Sequence, residues 1–168
     1  MLYLTAVAGE RNQAINVLKR IFTLRPVNAD AGLLVVRLGA GLSLMLFHGY
    51  GKITAGPELW AKLGSNMENL GVGFAPTLWG FLAAFSEFFC ALFVVLGVAV
   101  RPAAALVAFT MLVAAARHLG LPADNPSAGW RGASHAIELF SVFVALLLTG
   151  PGRYTLVRLL SRSRTGAR

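Results

Sequence analysis

Apolar side chains fill four stretches of near-membrane length, separated by segments rich in Gly, Pro and polar residues. The first runs from about Asp30 to Gly49 or Lys52, the second from Pro76 to Val100, the third from Ala103 to Arg117, the fourth from Ala133 to Thr149. The third is short and spans only if His118 and Leu119 to Leu121 count, or if the bilayer thins around it. Between the first two, residues 53–75 are too polar to cross. They read as an external loop resting on the membrane surface, with a short helix from Pro57 to Leu70 whose apolar side holds Leu59, Trp60, Leu63, Met67 and Leu70. Tyr50, Trp60 and Trp79 suit an interfacial belt. Arg101-Pro102 marks a tight turn, and residues 121–132 a second Pro/Gly loop. Upstream, Ala14 to Arg25 puts Ile15, Leu18, Ile21 and Phe22 on one face, the pattern of a helix lying on a membrane surface. Pro26 ends it, and Asn28 or Asp30 can cap the first span. The first ten residues lack a basic n-region, so no cleaved signal peptide is expected.

Composition agrees. Hydrophobic residues make up 57% of the 168 and charged residues 13%, too much apolar surface for so small a soluble domain to hide. The fold class expected is all-α: an integral membrane four-helix bundle with both termini cytoplasmic, preceded by an amphipathic surface helix. Three regions follow: an N-terminal segment 1–29, a four-span domain 30–152 and a basic tail 153–168, with a surface helix from Tyr154 to Leu160. The net charge of +8 is concentrated at the ends. Ten Lys and Arg flank the spans on the side of the termini and Arg101, against four (Lys52, Lys62, Arg117, Arg131) on the other, which predicts cytoplasmic termini. The same distribution accounts for the basic charge through anionic lipid, and no nucleic-acid module is present. Cys90 stands alone in an apolar run, so an internal disulfide or a CxxC relay is excluded.

The chemistry lies in the few ionisable groups at membrane depth. Arg37, Gly41, Met45, His48 and Lys52 follow at spacings of four, four, three and four, one face of the first helix. Arg37 and Glu87 come to a similar middle depth, and an ion pair between them is the natural inference. Nearer the external face, His48, His118, His135 and Glu138 come from three helices. Such groups can bind a metal or haem, relay protons, or hydrogen-bond a quinone headgroup; no HxxH or ExxH motif encodes a metal site. Glu138 needs a cation, with His48, Lys52 or Arg117 available. The candidate polar core or quinone site is therefore Arg37, His48, Glu87 and Glu138.

Three stretches resemble the signatures of the DoxX family: RLGAGLSLMLFHGYGKI, EFFCALFVVLGVAVRPAAALVAFTMLVAA and AIELFSVFVALLLTGPGRYTL, in order over about residues 31–160. The family pattern falls on Arg37, His48, Gly49, Lys52, Glu87, Gly97, Arg101, Glu138, Gly152 and Arg153. One departure is Thr155 and Val157, where the family often closes with Ser and Asp. The resemblance implies a four-helix protein of the bacterial inner membrane, linked to quinone-coupled sulfur oxidation and to oxidative-stress membrane complexes. Three functions stay open. One is a redox-complex subunit with a quinone at its polar core and electrons from a protein partner, since no motif encodes a cofactor. The second is a scaffold anchoring soluble redox or detoxifying enzymes, and the third a small-molecule or proton transporter. The lipid bilayer is the first partner in each, and small-residue faces suit a homo-oligomer.

Overall fold

A computed structural model describes residues 13, 15, 16 and 28–165 of the chain. The amphipathic helix expected over residues 14–25 lies, apart from Ile15 and Asn16, outside the described residues. Four helices are long and apolar enough to cross a membrane: α1 (Ala29–Thr54), α3 (Pro76–Leu96), α4 (Val100–Gly120) and α5 (Gly129–Thr149). A short helix α2 (Pro57–Gly64), continued by a 3₁₀ turn over Ser65–Leu70, joins α1 to α3, and α6 (Leu156–Thr165) follows the last span. The end of the bundle bearing Asn28 and α6 is termed here the terminal end, the opposite one the loop end.

The boundaries follow local chemistry. Asn28 is the cap of α1, its side chain accepting from Ala31 N–H at 3.0 Å. Asp30, the other expected cap, instead accepts from Arg153 N–H at 2.8 Å and pairs with its guanidinium at 3.4 Å. The second span stops at Leu96, short of the expected Val100, because Gly97 adopts φ 74°. The N–H groups of Gly97 and Val98 then turn back to the carbonyls of Val94 and Phe93, a glycine-closed helix end. The freed residues start α4 at Val100, with Pro102 in its first turn. With its far end at Gly120, α4 reaches 21 residues, so His118 does belong to the third span. α5 also starts a turn earlier than expected, at Gly129.

α1 packs on α3, α3 on α4, and α4 along α5, while α1 touches α5 only lightly. The shared core includes Leu44, Ala91, Val94, Val107, Met111 and Phe143. Gly41 is one close approach: a Cβ there would lie 2.6 Å from Val95 Cγ2 on α3. Residues 53–75 depart from the surface-loop expectation. α2 packs against the first turns of α3 so tightly that a Cβ on Gly64 or Gly80 would stand 1.7 Å from a backbone oxygen of the facing helix. Two glycines in register bring these backbones together, and α2 becomes a wall of the bundle.

Candidate functional site

The wall encloses a site. Glu87 lies eleven residues into α3, about 16 Å from its loop end at the helical rise, and is buried. Both its carboxylate oxygens accept from Lys52 Nζ, at 2.7 and 2.5 Å. Lys52 is in the last turn of α1, where the chain breaks at Gly56 before rising again as α2. Trp60 of α2 donates its indole N–H to the Lys52 carbonyl at 2.8 Å, locking the break in place. Beneath, π-helical turns in α1 (Leu44–Gly49) and α3 (Ser86–Cys90) face one another, a local geometry frequent at functional positions. Gly49 presses on the backbone of Glu87, where a Cβ would come within 2.4 Å of the Glu87 carbonyl oxygen. On the other side Ser86 Oγ and Thr110 Oγ1 share a hydrogen bond of 2.7 Å that ties α3 to α4.

The ion pair forms part of the wall of a cavity of about 80 Å³ between α2, α3 and α4. Leu63, Met67, Leu82, Leu106 and Phe109 supply most of the lining, with Asn66 and Thr110 as further polar groups. Trp79 also lines it, and its indole nitrogen is buried without a hydrogen-bond partner among the described residues. By volume the space takes a single small ring or a handful of water molecules. An ammonium and a carboxylate in the wall of an apolar chamber, with a buried indole N–H on one of its lining residues, can orient a flat ligand with polar edges and exchange a proton with it.

The four residues of the candidate core separate. Arg37 does not pair with Glu87. It is 1% exposed and donates to the carbonyls of Val94 (2.7 Å), Val95 (2.9 Å), Pro151 (2.7 Å) and Tyr154 (2.7 Å). The reason is geometric. Helical side chains lean toward the N-terminus of their own helix, and α1 and α3 are antiparallel. At one depth Arg37 leans to the terminal end while Glu87 leans to the loop end. The arginine thus meets the open carbonyls and negative dipole end of α3, and Lys52, three turns or more further along α1, leans back onto Glu87. With four of its five N–H groups engaged, Arg37 is a clamp on three chain segments, closed over Gly97, where a Cβ would lie 2.5 Å from Arg37 Nη2.

His48 is half-buried beside the site, within electrostatic reach of Glu87, Lys52 and His135, and its ring lies 5.2 Å from that of His135. His118, in the last turn of α4, turns instead to the 121–132 loop, its Nδ1 2.8 Å from the Ser127 carbonyl oxygen. Among the described residues no three His, Cys, Asp or Glu side chains stand close enough together to hold a metal ion. Glu138 is exposed on α5 and takes none of the three expected cations. Lys52 was legible as part of the stripe from Arg37, though not as the partner of Glu87. Trp79 reads from sequence only as an interfacial aromatic, and Asn66 carries no signal, because nothing in residues 53–75 indicates that α2 folds against α3.

No curated protein and no solved structure matches the chain. The family model for DoxX matches residues 32–119, just over half of the chain, from the first turn of α1 to the end of α4. That segment holds the clamp arginine, the Lys52–Glu87 pair and the cavity, and this multi-pass membrane protein belongs to the DoxX family.

Proposed function

We propose that the protein is a subunit of a redox complex in a bacterial inner membrane, and that it holds the headgroup of a quinone in the cavity beside Lys52 and Glu87. The observation that carries this reading is the buried ion pair in the wall of an apolar chamber lined also by Trp79, whose indole N–H has no hydrogen-bond partner among the described residues. A quinone, when bound, accepts two electrons and two protons. The electrons come from a protein partner, and this chain's task is binding and protons. Lys52 and Trp79 donate hydrogen bonds that hold a carbonyl edge, the leucines and Phe109 exclude water, and Glu87 exchanges the proton. His48, a turn from Lys52 on the stripe of α1, extends the titratable groups toward His135.

A transporter requires a route between both faces. Here the cavity lies in the loop-end half, and at the terminal end Arg37 ties α1 to the end of α3 and to residues 151 and 154. A pure scaffold leaves the chamber without a task. The test is purification in mild detergent, solvent extraction and mass spectrometry of bound quinones, with titration of a short-tailed quinone into the purified protein. Bound quinone that is lost in Trp79→Phe and Glu87→Gln variants of normal stability supports the reading. A protein that yields no quinone, and whose melting temperature does not move on titration, overturns it.

A further inference from the structure

Glu138 is the tenth of the 21 residues of α5, about 14 Å from the loop end of that helix and 16 Å from the other. It therefore lies near the middle of the span, exposed, with no hydrogen bond or ion pair among the described residues. Ser134, Ser141 and Ala145 are exposed on the same stripe, at steps of four, three and four from one to the next with Glu138. The two serines turn their hydroxyls back to their own helix, onto the carbonyls of Arg131 and Ile137 at 2.9 Å, so the stripe is both small and smooth. The exposed side of α1 differs: Val35, Leu42, Leu46 and Phe47 are bulky and apolar, as lipid contact requires. Small residues with one polar group make a helix-packing face. A carboxylate facing hydrocarbon at mid-depth is among the least tolerated arrangements in a membrane.

We propose that this stripe of α5 docks a spanning helix of a different membrane protein, and that the partner helix carries a lysine or arginine at the bilayer middle to meet Glu138. Charge complementarity selects a different chain over a second copy. Two copies related by an axis along the membrane normal set Glu138 against Glu138. The two cations of this chain inside its spans are already committed, Arg37 to four carbonyls and Lys52 to Glu87. The remaining described lysines and arginines, such as Arg101, Arg117 and Arg131, lie at span ends or in loops. His135, one turn nearer the loop end, lies against the ring of His48 and makes no ion pair with Glu138 among the described residues. The surface is separate from the cavity and stands whether or not a quinone binds there.

The full chain, reconstituted in nanodiscs, is titrated with a designed Leu/Ala single-span helix bearing one central lysine, and association is read by energy transfer. A helix with leucine at that position is the control. The lysine helix should bind about tenfold tighter, and Glu138→Gln should bring the two helices to parity. Because Glu138 is exposed, Glu138→Gln and Glu138→Leu should fold with unchanged melting temperature, so a loss of association is a loss of contact. Equal binding of the two helices, or a preference that survives Glu138→Gln, overturns the proposal. A second readout places a photoreactive benzoyl-phenylalanine at Ser141 in native membranes. An adduct to another polypeptide with a basic residue in mid-span, lost in Glu138→Leu, agrees with the proposal. Adducts to lipid alone overturn it, as does an adduct of twice the chain's mass, which assigns the stripe to a second copy.

Discussion

Replacing Lys52 by Met removes the partner of Glu87 and nothing else of comparable weight. The Glu87 side chain is 4% exposed, against 29% for Lys52, and that asymmetry sets the magnitudes. An orphaned buried charge costs about 3–5 kcal/mol, so Lys52→Met should destabilise by that amount, a factor of roughly 10²–10³ or more in the folded fraction. The reverse change, Glu87→Met, orphans an ammonium on a long flexible stem that can reach water near the break after Thr54. Its cost should be smaller, about 1–2 kcal/mol. The double variant Lys52→Met/Glu87→Met has no charge left to desolvate, and apolar replacement of a buried pair is often neutral or better. It should fall within about 1 kcal/mol of the native chain, giving a coupling energy of roughly 4–7 kcal/mol across the cycle. The assay is equilibrium unfolding in mixed micelles by titration with a denaturing detergent, followed by tryptophan fluorescence and circular dichroism. A Lys52→Met variant within about 1 kcal/mol of the native chain would refute the argument, since a desolvated carboxylate cannot be left alone so cheaply. A double variant no better than Lys52→Met would refute it differently, by showing that packing and not charge sets the cost.

Four further outcomes follow from the geometry. Gly49→Ala drives a methyl into the Glu87 backbone and should cost about 1–3 kcal/mol in the same unfolding assay, with the larger loss of the two in Gly49→Val. Gly80→Ala should push α2 off α3, read as a rise in the labelling rate of a cysteine placed at Met67, which is buried in the native chain. Arg37→Lys keeps the charge but cannot reach four carbonyls on two segments, the end of α3 and residues 151–154; at about 0.6 kcal/mol for a typical hydrogen bond in a membrane, loss of two or more should lower the melting temperature by several degrees. Trp79→Phe removes an indole N–H that bonds to nothing among the described residues, so stability should change by less than about 0.5 kcal/mol, while affinity for a hydrogen-bonding ligand of the cavity falls.

The spans were legible because lipid imposes a strong periodic signal, and the stripe from Arg37 to Lys52 faces inward as its spacing indicates, Arg37 and Gly41 being buried. What could not be read was which charge meets which. Depth alone paired Arg37 with Glu87, whereas the opposite lean of side chains on antiparallel helices pairs Glu87 with Lys52. Residues 53–75 misled through composition: two glycines, Gly64 and Gly80, decide the packing of α2 on α3, and their match is visible only in three dimensions. Glu138 was placed in the first turns of its helix because nothing before Ala133 looked apolar enough to begin it. The structure starts α5 at Gly129 and so carries the carboxylate to mid-span.

The Arg37 clamp also has a bearing on how the protein is made. Two of its four acceptors, the carbonyls of Pro151 and Tyr154, lie 114 and 117 residues downstream. At a synthesis rate of about 5–20 residues per second, the arginine of the first helix waits roughly 6–23 s before the last of its partners leaves the ribosome. The α3 carbonyls arrive about halfway through that interval, so Arg37 first acquires two bonds and only later the other two. A chain stalled or cleaved after α4 keeps a half-coordinated guanidinium inside the bilayer.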